Sequence, residues 1–206
     1  MTGLGEDLSS AKAESKVSVS DNPKRFPQLD GMGREELVGL LQDAAKNWLA
    51  HDGTWFQAVE QMHGMEDAIR ADTEAWRRFT VVEAKRIMKR HGIEPGGGIQ
   101  ALAKALSYRL YAYINVQDMA EQTDGRVVFR MRDCRVQSAR KRRNMPDFPC
   151  KSVGMVEYGE FARTIDPRIR TKCLYCPPDG HPDDAWCAWE FSVEKGVEGS
   201  GVQGSE

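Results

Sequence analysis

The chain has 206 residues, of which 40% are hydrophobic and 29% charged, with a formal net charge of −2. That length suits one domain able to bury a core, and that balance belongs to a globular chain rather than a disordered one. Near-neutral charge points to neither nucleic acid nor a membrane surface as partner, and with no apolar run of about 18 residues and no leader-like start, a cytoplasmic location is expected.

Residues 1–25 and 195–206 are rich in small and polar groups and read as tails around a single domain spanning 26–194. From residue 34 to about 49, Leu37, Leu40, Leu41, Ala44 and Trp48 recur at three- and four-residue steps, which predicts an amphipathic helix with these as its buried stripe. His51-Asp52-Gly53 interrupts the pattern, so a second, shorter helix is expected through Trp55, Phe56, Val59 and Met62, capped by Asp52 or Thr54 and ending at Gly64. Asp72 reads as the cap of a third helix carrying Trp76, Phe79, Val82, Ala84, Ile87 and Met88, closed by Gly92.

After Pro95-Gly96-Gly97-Gly98, residues 99–105 look helical, and Leu110, Tyr111, Tyr113, Ile114 and Val116 suggest a strand, with a helix as the alternative. Asp124-Gly125 is a hairpin signal, with a returning strand over 126–131. Helices are expected over 135–144 and 153–162, and strands over 169–175 and 185–193 around Pro177-Pro178-Asp179-Gly180. The fold class is α+β: a helical N-terminal half, 26–107, packed on a C-terminal antiparallel sheet, 108–194, which adds two helices and a cysteine cluster.

Five cysteines, none before Cys134, argue against a disulfide framework and for reduced thiols, metal ligands or a reactive cysteine. Cys173 and Cys176 form one Cys-x-x-Cys pair able to chelate an ion, and Cys187 can fold back across the hairpin as a third ligand, with Cys150, Cys134 or His181 completing a tetrahedron around zinc or within an iron-sulfur centre. Pro177 after Cys176 and the lack of a second such pair weigh against that reading, and free cysteine also serves as a small buried apolar residue. A dithiol redox pair is weaker still, since prolines rather than a helix follow it.

Glu60-Gln61-Met62-His63 has the spacing of a di-iron ligand pair, but Glu83-Ala84-Lys85-Arg86 puts arginine where the second histidine belongs. His51 is expected to serve a helix junction and is only a distant site candidate, and Ala139-Arg140-Lys141-Arg142-Arg143 reads as a solvated helix face. Arg135 and Gln137, beside Cys134, can reach a carboxylate or carbonyl held near the thiol.

Met131-Arg132-Asp133-Cys134-Arg135-Val136-Gln137, Phe148-Pro149-Cys150-Lys151, Ile165-Asp166-Pro167-Arg168-Ile169, Cys173-Leu174-Tyr175-Cys176-Pro177-Pro178-Asp179 and Cys187-Ala188-Trp189-Glu190-Phe191, together with His51-Asp52-Gly53-Thr54-Trp55-Phe56 and Glu83-Ala84-Lys85-Arg86-Ile87-Met88, resemble an uncharacterised family of bacterial cytosolic proteins over about residues 34–193. More remotely, Cys134, Cys150 and Cys187 in their order of strand, helix and terminal strand are similar to the L-2-amino-thiazoline-4-carboxylic acid hydrolase family, from which Arg135, in place of a proline, and the added Cys173 and Cys176 depart. That resemblance implies hydrolysis of a cyclic C=N bond in a small amino-acid-derived substrate. It would make Cys134 or Cys187 the nucleophile or ligand, His181 or Glu157 the proton carrier, and Arg135 the carboxylate anchor. The rival reading is a non-catalytic zinc- or iron-sulfur-binding module for small-molecule sensing or protein interaction. A small-molecule ligand is expected in either case, and a homo-oligomer is compatible with the composition.

Overall fold

α1, Arg34–His63, runs unbroken through His51-Asp52-Gly53, where the sequence predicts two helices. A glycine inside a helix costs about 1 kcal/mol against alanine, too little to end a helix held by its other turns. Thr54 Oγ1 turns back to donate to the Ala50 carbonyl at 2.8 Å, so it caps nothing. The buried side carries Ala45, Leu49 and Phe56, one step round from the expected stripe, and Leu37, Leu40 and Leu41 are exposed. The chain breaks instead at Gly64, whose φ of 89° favours glycine.

The computed structural model describes residues 26–193, and the expected tails at 1–25 and 195–206 lie outside the described residues. Contacts divide the chain into two units, Met1–Leu40 and Leu41–Glu206. The described part of the first is a 3₁₀ turn, Pro27–Leu29, and the opening of α1; the second holds the rest of α1 and every later element.

α2, Met65–His91, begins well before Asp72, which is therefore an interior residue and not a cap; the helix closes at Gly92 as expected. α3, Gly98–Leu106, leads into a 3₁₀ turn, Leu110–Tyr113, where the sequence favours a strand. Arg109, just before that turn, is buried, and strand β1 starts only at Val116, Val116–Ala120. β2, Arg126–Asp133, α4, Arg135–Arg142, α5, Lys151–Ile165, β3, Ile169–Tyr175, and β4, Cys187–Val193, fall where the sequence places them within a few residues.

All strand pairs are antiparallel, in the order β1-β2-β4-β3. The register sets Val127 opposite Phe191, Phe129 opposite Trp189 and Met131 opposite Cys187, and on the other side of β4 sets Cys173 opposite Trp189. Directly opposed residues share a face, so these side chains line one buried surface, against which α3 and α5 pack. α5 also packs on α2, so it is sandwiched between that helix and the sheet. The α+β architecture is thus as the sequence predicts.

Two local devices fix α5. Asp166, fully buried just beyond its end, accepts bonds from Gly98 N, Arg168 N and the Arg168 guanidinium, tying the start of α3 to the end of α5. The Arg168 guanidinium, foremost, holds the Asp166 carboxyl down to about 2. At Gly154 the helix comes so close to β4 that a Cβ would stand 2.6 Å from Trp189 Cζ2.

Asp166→Asn should lower stability at pH 7 by about 1–3 kcal/mol through lost charge-assisted bonds, with the difference fading as pH falls from about 4 to about 2, where wild-type Asp166 also loses its charge. Gly154→Ala should cost about 1–3 kcal/mol by overpacking against Trp189. Urea unfolding across pH measures both; a neutral Gly154→Ala would mean that Trp189 yields freely.

Candidate functional site

A cavity of about 390 Å³ opens among α1, α2, α4, α5 and the C-terminal strand, all within the second unit. Such a volume suits a small molecule. Cys134, Cys150, Cys176 and Cys187 contribute to its lining, as do Asp52, Asp72, Glu157 and the aromatic Trp76, Tyr111 and Tyr158. The exposed part of the lining is basic: Lys46, Arg135, Arg142 and Arg143. Two of the sequence candidates stand elsewhere. Cys173, on β3, sits outside the cavity against the core, and its thiol is pushed up to about 11 by burial. His181 lines a separate surface depression beside Trp186 and shares its Nδ1 with the Pro182 carbonyl at 3.0 Å.

The local fold explains the split of the Cys-x-x-Cys pair. The register of β3 slips between Cys173 and Tyr175, so Cys176 leaves the strand and turns toward the start of α5. There Lys151 N donates to the Pro177 carbonyl at 2.9 Å, pinning loop to helix, and the Cys150 and Cys176 sulfurs approach to 3.5 Å. Among the described residues, no group of three or more His, Cys, Asp or Glu side chains is arranged to hold a metal ion.

Cys150 is the N-cap of α5, where the unpaired N–H groups of a 15-residue helix favour negative charge. The Cys176 thiol beside it holds the Cys150 thiol below its ordinary range, burial opposes this, and Gln137 Nε2, donating at 3.6 Å, adds to the lowering. Gln137 is itself buried and clamped to the backbone of Phe148 through both ends of its amide. Cys176 is correspondingly raised. Cys134, at the N-cap of α4, is pushed up to about 12 by burial, and Cys187 accepts from the Trp189 indole at 3.4 Å.

At the acidic end, Glu157 is buried and committed: Arg109, 2% exposed, lies 2.7 Å from it and 2.9 Å from Glu83. Nε of Arg109 is directed at Glu83, whereas Nη1 and Glu157 Oε1 meet as an ion pair without an aligned N–H. The guanidinium also lies against the rings of Trp76, Tyr111, Tyr158 and Phe161. Asp72, 6% exposed, has no ion-pair partner among the described residues. Burial, then the charges of Asp52 and Glu157, push its carboxyl up to about 7, against a hydrogen bond from Trp76. Asp52 is raised too, by burial.

Arg135 is exposed at the start of α4, its backbone N–H held by Asn115 Oδ1. Arg140, in the run read as a solvated face, is instead turned in: its Nε donates to the Pro146 carbonyl and its Nη1 faces Glu60 at 3.5 Å. Glu60 is thereby paired, and His63 ends α1 exposed. His51 is exposed in the middle of α1 and does not line the cavity, while its neighbour Asp52 does.

Sequence reasoning passed over Asp52 and Asp72 as caps, although a signal was present. Asp72, Trp76, Thr80 and Ala84 repeat every four residues and are all buried, and Ala45, Leu49, Asp52 and Phe56 follow the same logic on α1. An acid in register with an apolar stripe faces inward.

A family model described as "Family of unknown function (DUF6125)" matches residues 30–193. No curated protein and no solved structure matches the chain.

Because the folded state holds the Asp72 proton to about 7 and an unfolded chain releases it near 3.8, folding becomes less favourable as pH rises through that window. Asp72→Asn should therefore be more stable than wild type at pH 8, by roughly 2–4 kcal/mol, with the gain shrinking toward pH 4. Equal urea midpoints of the two proteins at pH 8 would mean that the carboxylate has a partner in solution.

Proposed function

For this chain, which belongs to the DUF6125 family, we propose hydrolysis of a C=N bond in a small, amino-acid-derived, thiazoline-like molecule, with Cys150 as the nucleophile. The observation that carries this reading is the cavity itself, which brings a lowered thiol at a helix N-terminus together with a buried carboxyl titrating near neutrality. Cys150 replaces Cys134 in the nucleophile role because a thiol held near 12 supplies almost no thiolate at neutral pH. Asp72 replaces Glu157 and His181 as proton carrier, since Glu157 is committed to Arg109 and His181 lies outside the cavity. Arg135, exposed on the lining with no ion pair among the described residues, is the carboxylate anchor.

In this scheme Cys150 Sγ bonds to the C=N carbon while the π electrons pass to the nitrogen, which enters protonated and paired with the Asp72 carboxylate. Collapse of the adduct breaks the ring C–S bond: Asp72 carries the nitrogen's proton to the departing sulfur, which leaves as a thiol, and the carbon stays attached to Cys150 and doubly bonded to nitrogen. Water then adds across that C=N bond, Cys150 departs as thiolate, the remaining hydroxyl proton passes to Asp72 and an amide is formed, so one water is consumed and one proton released per turnover. Cys176 and Gln137 steady the thiolate at both ends of the cycle. Five free thiols suit a reducing cytoplasm, and no helix among the described residues is long and apolar enough to cross a membrane.

A second reading, thiolate ligation of zinc or an iron-sulfur centre, draws on the 3.5 Å approach of Cys150 to Cys176, with Cys187 on the same lining. Metal analysis of anaerobically purified protein separates the two: about one metal per chain that protects these three thiols favours ligation.

Cys150→Ser should lower turnover of 2-aminothiazoline-type substrates by about 10³-fold or more. In wild type at pH 7, iodoacetamide should label Cys150 before Cys134. Full turnover by the serine variant, or preferential labelling of Cys134, would remove Cys150 from the nucleophile role.

A further inference from the structure

The cavity has a surplus of buried negative charge. Glu83 and Glu157 both pair with Arg109, so one buried cation faces two carboxylates, and its guanidinium lies against the surrounding rings. Asp52, from α1, and Asp72, from α2, remain. Among the described residues no cationic group of the neighbouring elements pairs with Asp52 or Asp72: Lys46 on α1 pairs with Asp43 at 3.0 Å, Arg140 on α4 faces Glu60, Arg143 donates to Gln57, and His51, Arg135 and Arg142 are exposed. From α5 the charge of Glu157 acts on Asp72, and Tyr111, from the turn after α3, and Trp76, on its own helix, line the same cavity. Asp72 is thus more than nine-tenths buried, lines an open volume of about 390 Å³ and has no cationic partner among the described residues.

A carboxylate buried without a counter-charge is costly, and the cost is removed either by a proton or by a cation from outside. We propose that the Asp52–Asp72 end of the cavity is a recognition site for an organic cation with paired N–H donors, of the amidinium type. Two carboxylates from adjacent helices match a planar cation with N–H groups on both sides, which can donate to each. Trp76 and Tyr111 supply aromatic walls to such a group. The proposal rests on the hydrolase reading only in making this cation the protonated C=N end of the substrate. Ion pairing there draws electrons from the carbon that the thiolate attacks, and the basic side of the lining is left for the substrate's carboxylate. A neutral C=N compound of the same shape would be selected against, because it would leave the acids unpaired or protonated.

The test is binding of benzamidinium and its neutral counterpart benzamide to the full chain, followed by calorimetry. Benzamidinium should bind at least about tenfold more tightly, and its affinity should rise with pH by up to about tenfold per unit below 7 and level off above, because the proton on Asp72 must leave. Asp72→Asn, which the fold tolerates if its stability rises as expected, should lose at least about tenfold and flatten the pH profile. Equal binding of the two probes, or unchanged binding by Asp72→Asn, overturns the proposal. Amidinium binding without turnover of any C=N compound supports the site and removes only the hydrolase reading. Turnover of neutral compounds with no amidinium binding overturns the site and leaves that reading in place.

Discussion

The buried guanidinium of Arg109 is the constraint around which the second unit is organised. It emerges from the turn after α3 and is held by Glu83 on α2 and Glu157 on α5, so three separate segments meet at one charge. Removing any one partner would strand a charge in an apolar setting, which costs far more than the pair itself contributes. The four aromatic rings around it turn that charge cluster into a rigid wall. Trp76, Tyr111, Tyr158 and Glu157 of that cluster also line the cavity, so the geometry of the candidate site follows from the pairing of a single cation.

The thiol end depends on a second junction, between α5 and the sheet. Gly154 lets the helix lie directly on Trp189, which brings the helix N-terminus, and Cys150 with it, down to the loop that leaves β3. The register slip at the end of β3 then turns Cys176 toward Cys150, while the strand keeps Cys173 facing the core. The neighbouring Cys176 thiol and the clamped Gln137 outweigh burial at Cys150, whereas at Cys134 burial outweighs the backbone N–H groups of α4. Chemically similar residues thus acquire different reactivities from their seats, and that difference sets the roles under the proposed hydrolase reading.

The cavity lining is mixed in charge: buried or half-buried acids and thiols, with basic groups on its exposed part. An arrangement of this kind orients a small molecule carrying opposite charges at its two ends, which is the kind of substrate that the proposed reaction requires.

The sequence by itself determined the α+β class, the end of α2, the positions of α3 through α5 and the hairpin signals, because hydrophobic periodicity and turn residues act locally. It also marked the C-terminal third as the source of the thiols. It misjudged what depends on distant partners: Gly53 does not break α1, since the surrounding turns outweigh one glycine, and Leu110–Tyr113 forms a turn, since Arg109 must reach two carboxylates. Spacing grouped Cys173 with Cys176, and only the packing of α5 on the sheet separated them. Asp72 was legible as an acid on an apolar stripe, but whether such an acid meets a cation, a proton or an open cavity is decided by side chains far away in sequence. Local pattern sets the elements; which charges and thiols share one space is a property of the tertiary structure alone, because burial and pairing are sums over all of them.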